Sequence, residues 1–134
     1  MKQIEAIIER AGDGTYSVYC KEEMFTGMGA TSEDAQNNML EQMQFYKQTA
    51  IKEGFAYPAF LDDEFEVVYK FDTKSLLEYY SGIISLSGME KITGIHQKQL
   101  WNYLRTDTVP RRKQITKIEN GLHLLGKELS SISL

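Results

Sequence analysis

Apolar and polar residues alternate with a period of two at the start of the chain. Ile4, Ala6 and Ile8 fall between Gln3, Glu5, Ile7 and Glu9, the spacing of a strand with one buried face. Ala11-Gly12-Asp13-Gly14 carries an Asp-Gly hairpin signal, and Tyr16, Val18 and Cys20 then alternate with Thr15, Ser17 and Tyr19 in a returning strand. Phe25-Thr26-Gly27-Met28-Gly29 predicts a third, short strand ending in glycine. After Thr31 the period changes. Ala35, Met39, Met43, Tyr46 and Ala50 recur at helical spacing, with Leu40 and Ile51 expected to widen the stripe. Thr31 is placed to cap this helix, Glu33 and Asp34 suit the positive end of its dipole, and Gly54 suits its end. Tyr57-Pro58 interrupts regular structure, and Phe65–Phe71 predicts a last strand. The order is β-β-β-α-β: a three-strand meander, a helix across one face, and a strand that rejoins the sheet.

From Phe71-Asp72-Thr73-Lys74 onward every pattern is helical. Asp72 or Thr73 caps a helix with Leu76, Leu77 and Tyr80 inward, and Ile83–Ser87 reads as a connector. Met89 and Ile92 share a face, Gly94 can take the positive φ of a tight inter-helix turn, and Ile95 plugs the angle. Leu100, Tyr103 and Leu104 give the following helix its inward face. Pro110 then opens a helix whose stripe is Ile115, Ile118, Leu122 and Leu125. The pattern predicts an α+β chain: a module over 1–72, and an all-α helix-turn-helix domain over 73–134.

The residues left outward after that turn change the picture. His96, Gln97, Lys98, Gln99 and Asn102 cluster at a helix start, where Gln and Asn offer the paired donor and acceptor that match adenine and Lys can reach guanine. A helical hairpin whose polar face meets only water has the same local pattern. The basic residues beyond this cluster favour DNA: Arg105, Arg111, Arg112, Lys113 and Lys117 have only Asp107 opposing them. Trp101 is expected to pack at the edge of the bundle or against a second copy rather than to read a thymine methyl. Charge divides the same way: residues 1–72 hold six Lys and Arg against fourteen Asp and Glu, a net of −8, and residues 73–134 hold nine against five, a net of +4. An acidic front half is repelled by nucleic acid and suits a basic protein. Two small modules in 134 residues are each marginal alone, which predicts a dimer or a dimer of dimers. No apolar run approaches a membrane span and the first residues show no signal-like core, so a cytoplasmic protein is expected. Cys20 is the one cysteine and is expected to be buried and inert.

The front half resembles the HicB-type antitoxins of bacterial toxin–antitoxin pairs. The residues that carry the resemblance are Asp13-Gly14-Thr15-Tyr16, Phe25-Thr26-Gly27-Met28-Gly29 and Thr31-Ser32-Glu33-Asp34-Ala35, in the family's order and spacing. The chain departs from the family between its second and third strands, where Lys21-Glu22-Glu23-Met24-Phe25 replaces a phrase with Pro and Gly-Cys. Thr93–Leu100 and Ile118–Leu129 look like the subset of that family that carries a lambda-repressor-like helix-turn-helix. A second departure is Glu90, four residues before the turn glycine, where such domains often have Ala. The resemblance implies a reduced ribonuclease-H-like module without catalysis or cofactor. It also implies a HicA-like ribonuclease toxin as the partner of that module, and operator DNA as the partner of the back module.

Anchors for a toxin are sought among large apolar residues in loop-like stretches: Met24, Phe25, Tyr57 and Phe60. Each can equally cap the core locally. Asp13, Asp34 and Asp62-Asp63-Glu64 lie in a turn, a cap and a loop rather than on a central strand, so no metal site is expected. The two His residues pair in spacing neither with each other nor with Cys20. Two other readings stay open: a stand-alone transcription regulator whose front module senses a ligand or partner protein, and an active nuclease.

Overall fold

A computed structural model describes residues 1–134, an α+β chain with one four-stranded mixed sheet and five α-helices. Strands β1 (Lys2–Arg10), β2 (Tyr16–Cys20), β3 (Thr26–Gly29) and β4 (Phe65–Phe71) lie in the order β3-β2-β1-β4. β1, β2 and β3 form an antiparallel meander, and β4 returns parallel to β1. The register pairs Ala6 with Cys20 on one side and with Tyr69 on the other, so the alternating apolar sets of three strands share one face. At the hairpin Gly14 has φ +90°, and Asp13 Oδ1 accepts hydrogen bonds from the Thr15 amide and hydroxyl. Those bonds, the backbone one first, hold the Asp13 carboxyl below its ordinary range.

Helix α1 (Ser32–Glu53) covers that face. Thr31 Oγ1 accepts from the Asp34 amide at 3.0 Å, and Gly54 ends the helix in the left-handed region. Ala35, Met39 and Met43 are buried against the sheet, and Ala50 is buried near the end of the helix. Leu40 and Ile51 do not widen this stripe; both lie on one flank of α1 and are exposed. The glycines of β3 explain how closely α1 sits. A Cβ on Gly27 would lie 2.3 Å from the Ala35 carbonyl oxygen, and one on Gly29 2.6 Å from the Ala35 amide nitrogen. Only a bare backbone fits under the first turns of α1 there. A single 3-10 turn, Ala59–Asp62, stands in the stretch before β4 where the sequence pattern predicts no regular element, and it turns Phe60 into the core.

Cys20 lies in this core with its sulfur 3.6 Å from that of Met39. Burial, reinforced by the charge of Glu23, pushes its thiol up to about 11. The stability gained by keeping the thiol neutral is therefore full below the ordinary thiol value and is lost as pH rises toward 11. Native protein at pH 8 is expected to resist an aromatic disulfide reagent and to react with one equivalent once unfolded. Rapid stoichiometric labelling of native protein would contradict the burial.

The chain divides into two compact units, Met1–Ser75 and Leu76–Leu134, with the division inside the first turn of α2 (Thr73–Ser81). Asp72 caps that helix by accepting from the Ser75 amide. The second unit is helical: α3 (Leu86–Thr93), α4 (Gln97–Arg105) and α5 (Arg112–Ser130). Ser85 caps α3, so the helix begins two residues before Gly88, inside the segment expected to be a connector. Arg111 rather than Pro110 stands at the cap position of α5. The core is Leu77, Met89, Ile95, Leu100, Tyr103, Leu104 and Ile118. Gly121 touches the backbone of α3: a Cβ there would lie 2.3 Å from the Ile92 carbonyl oxygen. No helix is long and apolar enough to cross a membrane.

Candidate nucleic-acid interface

Three residues, Gly94, Ile95 and His96, connect α3 to α4. Gly94 has φ +74° and donates to the Glu90 carbonyl, closing α3. Thr93 is buried; its hydroxyl donates to the Met89 carbonyl at 2.7 Å and accepts from the Ile95 amide at 3.1 Å. Those two bonds lock the chain reversal and drive Ile95 into the core, where it is 2% exposed.

The first amides of α4 are held by side chains. Glu90 Oε1 accepts from the Gln97 amide at 2.8 Å, and His96 Nδ1 accepts from the Lys98 amide at 3.1 Å. Two of the orphan donors of the helix start are thereby satisfied. Glu90 thus ties α3 to the start of α4. The tie spans seven residues, a separation that periodicity within one helix does not register.

Leu100, Tyr103 and Leu104 are buried and fix which face of α4 looks out. Gln97, Lys98, Trp101 and Arg105 are exposed, while Gln99 and Asn102 are half-buried on the flanks. Of the residues singled out in sequence, Gln97, Lys98 and Arg105 are therefore the freest. His96 is exposed but has one ring nitrogen engaged as the cap. Trp101, expected at the bundle edge or against a second copy, is 49% exposed, one helical turn from Gln97 and one from Arg105. Beyond α4, Arg111, Arg112 and Lys113 are exposed at the start of α5. No side chain caps that start and its first turn carries no acid, so its amides and three cations present one concentrated positive charge.

The toxin-anchor candidates separate. Phe25 and Phe60 are 4% exposed and pack edge-to-face on each other at 6.2 Å, so neither is a surface anchor. Phe25 turns in as the chain enters β3, and Phe60 turns in with the 3-10 turn. Tyr57 is half-buried, its hydroxyl donating to Asp62 Oδ1, while Lys47 reaches the same oxygen at 3.0 Å. Hydrogen bonds from Lys47 and Tyr57 hold the Asp62 carboxyl below its ordinary range. Met24 alone of the four is freely exposed. Two neighbours of Met24 that sequence patterning does not single out, Met28 on β3 and Phe45 on α1, are exposed as well. The signal in the sequence is Phe45 itself, a large apolar residue out of phase with the stripe of its own helix. No three His, Cys, Asp or Glu side chains converge on one point. Comparison of the chain with protein-family models, curated proteins and solved structures gives no match.

Proposed function

We propose that the chain is an antitoxin and autorepressor of the HicB type. In this reading the sheet and α1 form a reduced ribonuclease-H-like module that binds and blocks a small basic ribonuclease. The pair α3–α4 is a helix-turn-helix that binds operator DNA of its own operon. The observation that carries the proposal is the outward face of α4. Gln97 and Lys98 stand exposed at the first turn of a helix whose start is tied down by Glu90, His96 and a locked turn. A helix presented by its first turn suits a major groove, with the amide and ammonium groups at base edges. Arg105, Arg111, Arg112 and Lys113 supply charge for the phosphates. The acidic front half supports the protein partner, since a ribonuclease that grips RNA must itself be basic.

Two copies are required to read a palindrome. In this reading helix α5 is the surface for pairing, because it leaves two large apolar residues in water: Leu124 and Leu129 are 59% and 57% exposed. Leu124→Lys and Leu129→Lys together are expected to lower the mass measured by light scattering at micromolar concentration to that of one chain. They should leave the helical content unchanged. An unchanged mass would place the pairing surface elsewhere.

The direct test of DNA binding is a gel shift with the duplex that lies upstream of the gene. The chain should bind it with a steep inverse dependence on salt, and far more tightly than a scrambled duplex of equal length. Equal affinity for both duplexes, or none for either, would rule out the operator assignment.

A further inference from the structure

A groove opens between α1 and the edge strand β3. Its floor is Phe25 and Gly27, both buried, and its rims are Met24, Met28 and Phe45, exposed by 65%, 67% and 66%. Three large flexible or aromatic side chains standing in water around one groove make an uncommon surface for a small unit. Methionine adapts to an irregular partner, and an aromatic rim residue can anchor one.

The edge of β3 would ordinarily invite another strand. Here the Met28 amide donates to Asn38 Oδ1 at 3.0 Å, so a donor of that edge is already taken by α1. An added strand would have to displace Asn38. The groove is therefore shaped for inserted side chains rather than for main-chain pairing.

The unit that bears it is acidic. Residues 1–72 carry a net charge of −8. Glu41, exposed and one helical turn before Phe45, has no ion-pair partner within the chain, whose salt bridges use Glu5 and Asp62. Glu22 and Glu23 line a separate concavity with Lys2 and Lys21. An apolar groove on an acidic unit, with an unpaired carboxylate beside it, complements a partner that brings apolar side chains flanked by Lys or Arg.

We infer that this groove is the docking site for the basic ribonuclease partner, taking apolar side chains of that protein between α1 and β3 while Glu41 and the acidic surface of the unit meet its cations. The inference rests on the antitoxin reading and adds to it a location. It also replaces Phe25, Tyr57 and Phe60 by Met28 and Phe45 beside Met24.

The test uses the purified full-length chain and the purified product of the reading frame next to its gene, titrated by calorimetry. Phe45→Glu and, separately, Met24→Glu are expected to weaken binding at least tenfold. Leu40→Glu and Ile51→Glu, on the opposite flank of α1, are expected to stay within twofold of the parent. All four sites are exposed, and a thermal melt reports whether each variant folds. Glu41→Lys gives an arm free of any packing change, and is expected to slow association and weaken its salt dependence. Parent-like binding by both groove variants, with the parent chain binding, would overturn the groove while leaving the antitoxin reading intact. Absence of binding by the parent chain would remove the antitoxin reading and the occupant of the groove with it. Groove variants that alter the mass of the chain alone would assign the groove to a second copy and overturn the inference.

Discussion

Gly121→Ala should cost the helical unit a large part of its stability, whereas Gly126→Ala, five residues along the same helix, should raise it. The added methyl at Gly121 meets the Ile92 carbonyl oxygen at 2.3 Å and its carbon at 2.8 Å. Both are backbone atoms of α3 that cannot swing aside, so α5 must lift off. Forcing a close-packed contact apart in this way costs about 2 kcal/mol or more. A unit of this size has only several kcal/mol in all, so the melting temperature is expected to fall by about 10 °C. At Gly126 an added Cβ meets nothing within 4 Å. Alanine there gains roughly 0.5–1 kcal/mol over glycine through helix propensity. Thermal unfolding followed by circular dichroism reads both. An unchanged melt for Gly121→Ala would mean that α5 does not lie on α3.

The second large effect concerns DNA. Gln97→Ala and Lys98→Ala remove exposed side chains, so stability should move by less than about 0.5 kcal/mol. Operator affinity should fall by about 1–3 kcal/mol for each group that reads a base bidentately, roughly 5- to 150-fold, with specificity relaxed at one base pair. Arg111→Ala and Arg112→Ala should instead weaken operator and scrambled duplexes alike and flatten the salt slope by about one unit each. Trp101→Ala separates its two roles. A loss confined to DNA affinity places the ring against the duplex, while a loss of self-association places it against a second copy. Glu90→Gln tests the tie: the amide oxygen still accepts from the Gln97 amide, so binding should survive far better than in Glu90→Ala.

Much of the architecture is legible in the sequence because both periods are clean. The inward sets Ile4-Ala6-Ile8 and Tyr16-Val18-Cys20 fix the register of β1 on β2, and Met39, Met43 and Ala50 fix the face of α1. Gly94, Ile95, Leu100, Tyr103 and Leu104 all sit where their spacing puts them. The departures share a physical origin. Leu40 and Ile51 are apolar but out of phase, and hydrophobicity alone cannot say that a residue is left in water. Phe60 looks like a loop residue in sequence because a single 3-10 turn is too short to leave a periodic trace. The close approaches at Gly27, Gly29 and Gly121 are equally hidden, since a glycine that lets two backbones touch looks in sequence like one that makes a turn. At the candidate interface the residue types are readable, but which of them reach solvent is not. That depends on how far each lies around α4 from Leu100 and Tyr103, and on the Glu90 and His96 bonds that set where the helix begins.

In the proposed function one chain both neutralises a basic ribonuclease and represses its own operon. It is tested by the growth of cells that express the reading frame next to the gene from an inducible promoter, with and without the full-length chain. Arrest is expected without the chain and growth with it. Growth should be maintained by Lys98→Ala, which spoils only the DNA face, and lost in Phe45→Glu. Arrest that the full-length chain fails to relieve, in cells where it accumulates folded, would contradict the antitoxin function and leave a regulator of transcription in its place.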